Sequence, residues 1–292
     1  MTTETALVTG GTDGIGKAIA LGLARTGLEV VVVGRDRSKG ARAESDLRRS
    51  SGNDGVHFVP ADLSLTREAD RLAAEVIRGH PRLSCLVHSA GIVFGRWALT
   101  AEGVESNFAV NYLGRFALTQ RLLPLLTESA RPNRRSRVLL VNGAATNGTI
   151  HFDDVNLTRS FGTVRAILQC CQANDAFTVE CADRLTKRGE QRVSVNCIKV
   201  GVVRTNIRRH FPAWMKWLVP LVMDPLFALS AEQVAARALQ LLVAPEFESV
   251  TGALFTYIRR FKAVDIPLSI RDEEMRRRLW ELSERLTASG PA

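Results

Sequence analysis

A glycine-rich segment near the amino terminus has the residue types and spacing that bind a phosphate group. It reads Thr9-Gly10-Gly11-Thr12-Asp13-Gly14-Ile15-Gly16, between an apolar run and a helical pattern. Glycines allow positive φ and let the backbone approach a pyrophosphate, and the N-terminus of the next helix supplies free N–H groups. A strand before the loop and a helix after it favour a dinucleotide site over an ordinary turn. The predicted contacts are Gly10, Thr12, Asp13, Gly14, Ile15 and Gly16.

A basic residue at the end of the second apolar run indicates which dinucleotide binds. The run ends Val33-Gly34-Arg35-Asp36. An acid at this position would bind the ribose 2′-hydroxyl of NAD(H), whereas the Arg35 guanidinium suits the 2′-phosphate of NADP(H). Arg37 and Lys39 add nearby positive charge. We therefore expect NADP(H) in preference to NAD(H), the alternative being that Arg35 is an exposed loop arginine.

Strand and helix patterns alternate along the chain and would position these residues. Apolar, β-branched runs predict strands at 6–8, 28–33, 56–59, 83–88, 138–141, 193–198 and 253–256. Helical patterns follow them, within 15–27, 37–49, 66–78, 104–127, 166–185, 231–242 and 271–286. Such alternation predicts parallel strands joined by right-handed crossovers. We expect residues 1–292 to form a single doubly wound α/β domain of the Rossmann type, with a mostly parallel seven-stranded sheet.

Composition narrows the functional classes. The 292 residues are 46% hydrophobic, which suits a large core and excludes disorder as the main state. No apolar run reaches the ~18 residues of a membrane helix, and the first residues lack a leader pattern, so we expect a cytoplasmic chain with no stable membrane insertion. Five cysteines without a C-x-x-C pair argue against disulfides and against a metal site.

The net charge of +9 suggests an anionic partner. Lysine and arginine are spread along the chain in short clusters, and no nucleic-acid-binding motif occurs. A basic surface around a phosphate-bearing small molecule is therefore favoured over nucleic acid binding.

Several further segments, with the glycine loop, resemble the short-chain dehydrogenase/reductase family over nearly the whole chain. They are Asp62-Leu63, His88-Ser89-Ala90-Gly91, Val110-Asn111-Tyr112-Leu113-Gly114, Val195-Asn196, Val200-Gly201-Val202-Val203-Arg204-Thr205 and the tail Arg278-Leu279-Trp280-Glu281-Leu282-Ser283. The tail resembles the retinol-dehydrogenase-like branch. The resemblance implies a Rossmann fold and further cofactor contacts at Asp62, Leu63, Ser89, Ala90, Gly91, Val200, Gly201, Val203 and Thr205.

The resemblance also implies a catalytic tetrad, of which three positions have changed. The family's serine falls on Gly143, its tyrosine on Ile167 and its lysine on Cys171, while its asparagine is kept as Asn111. The whole chain has two tyrosines, Tyr112 and Tyr257, and neither has a lysine four residues later, the spacing that shares one helical face. The sequence therefore predicts a degenerate tetrad, and with it the near loss of ordinary ketone reduction or alcohol oxidation.

Other residues could take over parts of the chemistry. Lys199, at a strand end, is a candidate proton donor, the alternative being a solvated lysine. Cys171 is a candidate nucleophile, the alternative being a small buried side chain. Polar candidates for the substrate pocket are Asn142, Thr146 and His151. Resemblance places a substrate lid at about 205–229, where Trp214 and Trp217 suit a bulky apolar ligand.

Three functions remain open from the sequence. The first is an atypical NADP(H)-dependent oxidoreductase for a bulky apolar small molecule whose acceptor is already activated, such as an iminium or a conjugated enone. The second is a non-redox cyclase, isomerase or dehydratase that keeps the cofactor as a structural part. The third is a cofactor-binding pseudoenzyme. Resemblance also raises a homodimer through the helix that carries Ile167 and Cys171, with polar Gln172 and Asp175 leaving this unsettled.

Overall fold

The structure, a computed structural model, describes residues 4–145, 148–201, 203, 229–258 and 260–288. Within them, eight strands form one sheet in the order β3-β2-β1-β4-β5-β6-β7-β8. The strands are β1 (Thr5–Thr9), β2 (Glu29–Gly34), β3 (Val56–Pro60), β4 (Leu83–His88), β5 (Ser136–Gly143), β6 (Val193–Val200), β7 (Leu254–Tyr257) and β8 (Phe261–Val264). Strands β1 to β7 pair in parallel, which confirms the predicted doubly wound, mostly parallel α/β fold.

The predicted count of seven strands was wrong. The eighth strand, β8, pairs antiparallel with β7 at the sheet edge. It has four residues, of which Lys262 and Ala263 are exposed. A short edge strand of this kind lacks the buried apolar run from which the other strands were predicted.

Helices cover both faces of the sheet. The main ones are α1 (Gly14–Arg25), α2 (Arg37–Ser51), α3 (Thr66–Gly79), α4 (Gly114–Ser129), α5 (Thr163–Lys187), α6 (Ala231–Val243) and α7 (Glu273–Ala288). Because strand side chains alternate, Val30 and Val32 pack with α1 and α6, whereas Val31 and Val33 pack on the face of α3 and α4. Strands buried on both faces explain the continuous apolar runs in the sequence.

The chain order reverses between β1 and β4, which are neighbours in the sheet. In open parallel sheets, ligands bind outside the carboxyl ends of the strands at such a switch point. The glycine loop follows β1 at this position, and the segment after β4 begins beside it. The predicted cofactor residues therefore lie where the topology creates a crevice.

The last helix, α7, covers the outer side of α4 and α5. Trp280 is 6% exposed and packs against Phe116 and Phe177, with ring centroids 5.1 and 6.0 Å away. Arg276 is buried and its guanidinium pairs with the Glu180 carboxylate at 3.1 Å. A homodimer through α5 stays a prediction, and α7 covers part of the surface that such a dimer would use.

Candidate cofactor and substrate site

The glycine loop forms a tight cradle at the switch point. Gly10 has a φ of +67°, and a Cβ there would lie 2.7 Å from the Ala90 backbone. A Cβ on Gly16 would lie 2.3 Å from the Gly10 carbonyl oxygen. Asp13 caps α1, its carboxylate accepting a hydrogen bond from Gly14 N at 2.8 Å. At Gly10 and Gly16 a side chain would collide with the backbone, so only glycine fits. The resulting close-packed loop at the N-terminus of α1 suits a dinucleotide pyrophosphate.

A second close approach lies at the Asp62-Leu63 turn, which the resemblance implies as a cofactor contact. A Cβ on Gly114, the first residue of α4, would lie 2.2 Å from the Leu63 carbonyl oxygen. Asp62 fixes the same turn through its Oδ1, which accepts a hydrogen bond from Ser64 N at 3.1 Å. The glycine in the Val110–Gly114 segment thus lets the helix contact the Asp62-Leu63 turn.

Two basic residues after β2, Arg35 and Lys39, differ in whether they are paired with a carboxylate. Arg35 is exposed directly after Gly34, the last residue of β2. The Lys39 ammonium contacts the Asp13 carboxylate at 2.5 Å and so ties α2 to the glycine loop. Arg35 is therefore available to an anionic ligand, whereas Lys39 is already paired with a carboxylate.

The segment after β4 is held by buried polar groups. Thr9 Oγ1 accepts hydrogen bonds from Ser89 N and Ala90 N, both at 3.2 Å. The Asn111 side chain accepts from Ile92 N at 2.8 Å and donates to Ile92 O at 2.9 Å. Asn111 lies in a π-helical turn, Ala109–Leu113, a distortion that often occurs at functional sites. Here the asparagine acts as a clamp that fixes the backbone beyond Gly91.

Arg115 is a buried cation in this region that the sequence analysis missed. It is 5% exposed and donates to Ala90 O at 2.7 Å, Val141 O at 2.9 Å and Asn174 Oδ1 at 3.3 Å. Within the described residues no carboxylate pairs with it. Burial lowers its pKa to about 10, so the guanidinium stays charged at neutral pH. It links the carboxyl ends of β4 and β5 from below.

The three positions that the resemblance assigns to the serine, tyrosine and lysine of the tetrad lie on β5 and α5. Gly143 ends β5 and is exposed, and a Cβ there would lie 3.0 Å from Cys171 Sγ. Ile167 and Cys171 are one turn apart on α5. The structure thus brings Gly143 and Cys171 close together.

Both tyrosines of the chain lie away from this group. Tyr112 is buried, and its hydroxyl is 2.7 Å from Ser283 Oγ of α7. Tyr257 packs on the opposite face of the sheet, with the residues that contact α1 and α6. Burial raises the pKa of Tyr112 far above its usual value of 10. Neither hydroxyl replaces the side chain expected at position 167.

Lys199 belongs to a buried cluster below Gly143. The lysine is 2% exposed and its ammonium pairs with the carboxylate of Asp175, which is 1% exposed. Asn142 Nδ2 donates to Asp175 Oδ1 and to Cys171 O, both at 3.0 Å. Burial raises the pKa of Asp175, and the neighbouring Lys199 and Asn142 oppose this shift. The alternative of a solvated lysine is therefore wrong, the role of Lys199 as a proton donor stays a prediction, and Asp175 is an interior residue.

The cysteines are free and buried. Burial raises the pKa of Cys171, the Asp175 carboxylate adds to this, and Lys199 opposes it. A raised pKa keeps the thiol protonated at neutral pH, which does not favour a nucleophilic role. No cluster of potential metal ligands occurs in the described part of the chain.

The remaining predicted residues fall into two groups. Val200, Gly201 and Val203 lie at and after the end of β6, with Gly201 N donating to Tyr257 O at 3.3 Å. His151 follows β5, and its backbone N–H donates to Gln169 Oε1 at 2.9 Å. Thr146, Thr205, Trp214 and Trp217, with most of the predicted lid at 205–229, lie outside the described residues.

Comparison with known proteins agrees with this geometry. A family model described as short chain dehydrogenase matches residues 4–153. The chain is 35% identical to polyprenol dehydrogenase of Mus musculus, over 98% of this chain and 84% of that protein. It is 33% identical to retinol dehydrogenase 14 of Homo sapiens, over 96% of this chain and 85% of that protein.

Solved structures give the same result. A Pseudomonas aeruginosa RhlG/NADP complex superposes with a TM-score of 0.70 at 27% identity, covering 88% of this chain and 96% of that one. An uncharacterized protein from Mycobacterium paratuberculosis gives 0.77 at 27% identity, covering 100% and 96%. No helix among the described residues could span a membrane. On fold, site and sequence together, the chain belongs to the short chain dehydrogenase family, in its retinol-dehydrogenase-like branch.

Proposed function

We propose that this chain is an NADP(H)-binding oxidoreductase that acts on a bulky apolar small molecule without the family's usual carbonyl-reduction mechanism. One observation carries the proposal. The glycine loop forms a close-packed cradle, while Gly143, Ile167 and Cys171 stand where the resemblance expects serine, tyrosine and lysine. The chain thus keeps the means to hold the cofactor and lacks the groups that hydrogen-bond and protonate a carbonyl oxygen.

The cofactor contacts can be assigned to this chain's own residues. Gly10, Gly14 and Gly16 would surround the pyrophosphate, with the N-terminus of α1 facing it. The exposed Arg35 would bind the 2′-phosphate, as its position after β2 allows. The RhlG neighbour, solved with NADP, supports this choice. When bound, NADPH would supply a hydride.

The reaction must then avoid the need for a protein acid. Glycine and isoleucine have no acidic proton, and Cys171 stands at the position of the family's lysine, not at that of the proton-donating tyrosine. Loss of a positioned acid costs about 10²–10⁴ in rate. An iminium ion accepts a hydride at carbon and becomes a neutral amine, so its reduction requires no proton donor. Such an activated acceptor is the substrate that these positions favour.

The names of the relatives support the apolar character of the substrate. Polyprenol and retinol dehydrogenases are named for long apolar alcohols. The tryptophans predicted in the lid, Trp214 and Trp217, would suit a ligand of that kind.

Direct titration of the purified chain with NADPH and NADH tests the cofactor assignment. We expect NADPH to bind more tightly, and Arg35→Met to remove at least about tenfold of that preference, because a charge-assisted hydrogen bond contributes about 1.5–3 kcal/mol. Arg25→Met is the matched control, since Arg25 lies at the opposite end of α1. Failure to bind either cofactor contradicts the proposal.

Substrate assays separate the alternatives. NADPH consumption that depends on an iminium or enone substrate supports the proposed oxidoreductase. Conversion of a substrate without cofactor turnover would indicate a non-redox enzyme, and tight cofactor binding without any conversion would indicate a pseudoenzyme.

A further inference from the structure

The polar cluster below Gly143 follows from strand alternation. Leu140 and Asn142 of β5 point toward α5, as do Cys197 and Lys199 of β6, because every second side chain shares a face. Asn142 and Lys199 are register partners in the sheet. Asp175 on α5 contacts both of them. Asn142, Lys199 and Asp175 therefore meet at the ends of the strands. Two residues earlier, the same face of each strand carries a buried apolar side chain, Leu140 or Cys197.

The cluster fixes the orientation of the Asn142 amide. Its Nδ2 donates to Cys171 O and Asp175 Oδ1, which are both acceptors. A flipped amide would bring Oδ1 against a carbonyl and a carboxylate, with oxygen facing oxygen. Lys199 pairs with the other carboxylate oxygen and favours the charged, acceptor-only form of Asp175. The two N–H groups of Asn142 are thus both directed into the protein.

This leaves Oδ1 as the group that Asn142 can offer to a ligand. No hydrogen bond to Oδ1 occurs in the described part of the chain. The atom is not fully buried, so a ligand can reach it. The next residue, Gly143, is exposed and has no side chain of its own. At the carboxyl end of β5 the site therefore presents a hydrogen-bond acceptor.

We propose that Asn142 is a specificity-determining residue that selects apolar ligands carrying a hydrogen-bond donor, an O–H or an N–H group, over ligands that carry an acceptor alone. Asp175 and Lys199 are positioning residues, since they act through the Asn142 amide. The inference rests on the proposed function, because it names the substrate class of the same site. It also suits an iminium substrate, whose N–H would donate to Oδ1.

A matched pair of probes isolates the donor. 1-Decanol and its methyl ether share a chain and an oxygen, but only the alcohol can donate a hydrogen bond. Calorimetric titration of the full chain, with and without saturating NADP⁺, measures the affinity for each probe. We expect the alcohol to bind about tenfold more tightly than the ether, which is the effect of one hydrogen bond of about 1.4 kcal/mol.

Two variants assign the effect to the cluster. Asn142→Leu removes the acceptor and should abolish the preference for the alcohol. Asp175→Asn places an amide N–H opposite the Asn142 side chain, so the Asn142 amide can adopt the flipped orientation. This variant should reduce or reverse the preference for the alcohol while leaving both probes able to bind. Thermal unfolding checks that each variant is folded, and the wild-type comparison stands if one of them is not.

The outcomes are distinct from those that test cofactor binding. Equal affinity for the two probes, tighter binding of the ether, or no binding of either overturns the acceptor site, even when NADPH binds. A clear preference for the alcohol in a chain that fails to bind NADPH would support the acceptor site and contradict the proposed function.

Discussion

At the scale of single residues, the proposed function depends on the residue types at positions 143, 167 and 171, which the resemblance assigns to the reduction of a carbonyl. We expect the triple variant Gly143→Ser, Ile167→Tyr, Cys171→Lys to gain reduction of an apolar aldehyde by NADPH. The gain should be about 10²–10⁴-fold over the wild type, the usual effect of a positioned proton donor. Steady-state NADPH oxidation with decanal measures it.

The matched control differs by one hydroxyl group. A triple variant with Ile167→Phe in place of Tyr fills the same space without the acid and should show no gain. If the phenylalanine variant gains as much as the tyrosine variant, the missing proton donor is not what limits the wild-type chain.

His88 couples stability to pH. It is fully buried, and burial, with a smaller effect of the Arg115 charge, holds its pKa well below 6.5. Thr119 Oγ1 donates to Arg115 O at 2.8 Å, so His88 Nε2 is the donor in its 2.8 Å contact with Thr119. Below pH 6.5 the unfolded chain binds a proton that the folded chain does not, so the free energy of unfolding falls as the pH falls.

Urea unfolding between pH 7.5 and 5.5 measures this effect. His88 should contribute a slope that approaches about 1.4 kcal/mol per pH unit below pH 6.5. His88→Gln keeps a donor for Thr119 and does not titrate, so the difference in slope between the two chains isolates the histidine. Identical slopes would contradict the prediction.

The sequence could predict residues whose role is local and could not predict those whose role depends on distant partners. The glycines of the loop could be identified from their spacing within eight residues, Thr9–Gly16. Asp175 and Lys199 are 24 residues apart and meet only because α5 packs on β6. The available signal was a lysine two residues after Cys197 on a buried strand, since an interior charge needs a partner.

At the scale of elements, α7 stabilises the layer that carries the site. Trp280→Ala should lower the free energy of unfolding by about 3–5 kcal/mol, because it removes a buried aromatic side chain from between α4 and α5. Glu281→Ala, its exposed neighbour on the same helix, should change it by no more than about 0.5 kcal/mol. Chemical denaturation compares them, and a similar cost for both would show that α7 is not packed as described.

Elements with strong periodicity were predictable, and distortions of elements were not. The strands from β1 to β7 and the seven main helices were all anticipated, with boundaries that differ by a few residues. The π-helical turn before α4 was not, because it is held by the Asn111 contacts to Ile92 and by Asn174 Nδ2, which donates to Asn111 O at 2.8 Å. A pattern of apolar residues contains no information about such contacts.

At the scale of the whole molecule, the coverage of α4 and α5 by α7 bears on assembly. Polar side chains on this surface already have partners on α7. The Tyr112 hydroxyl contacts Ser283, and the Glu180 and Asp183 carboxylates pair with Arg276. We therefore expect light scattering of the full chain at micromolar concentration to give a mass near 32.0 kDa, that of one chain. A mass of two chains would show that a dimer forms beside α7 or on another surface.

The contact between Gly143 and Cys171 also has a consequence for how substitutions at this site combine. A Cβ at position 143 would lie 3.0 Å from Cys171 Sγ, so a serine fits there only if the sulfur moves by a few tenths of an ångström. The two positions are thus epistatic: the effect of a substitution at one depends on which residue stands at the other. A serine introduced at position 143 would therefore meet a packing penalty set by the residue at position 171, and the two substitutions have to be measured together as well as singly.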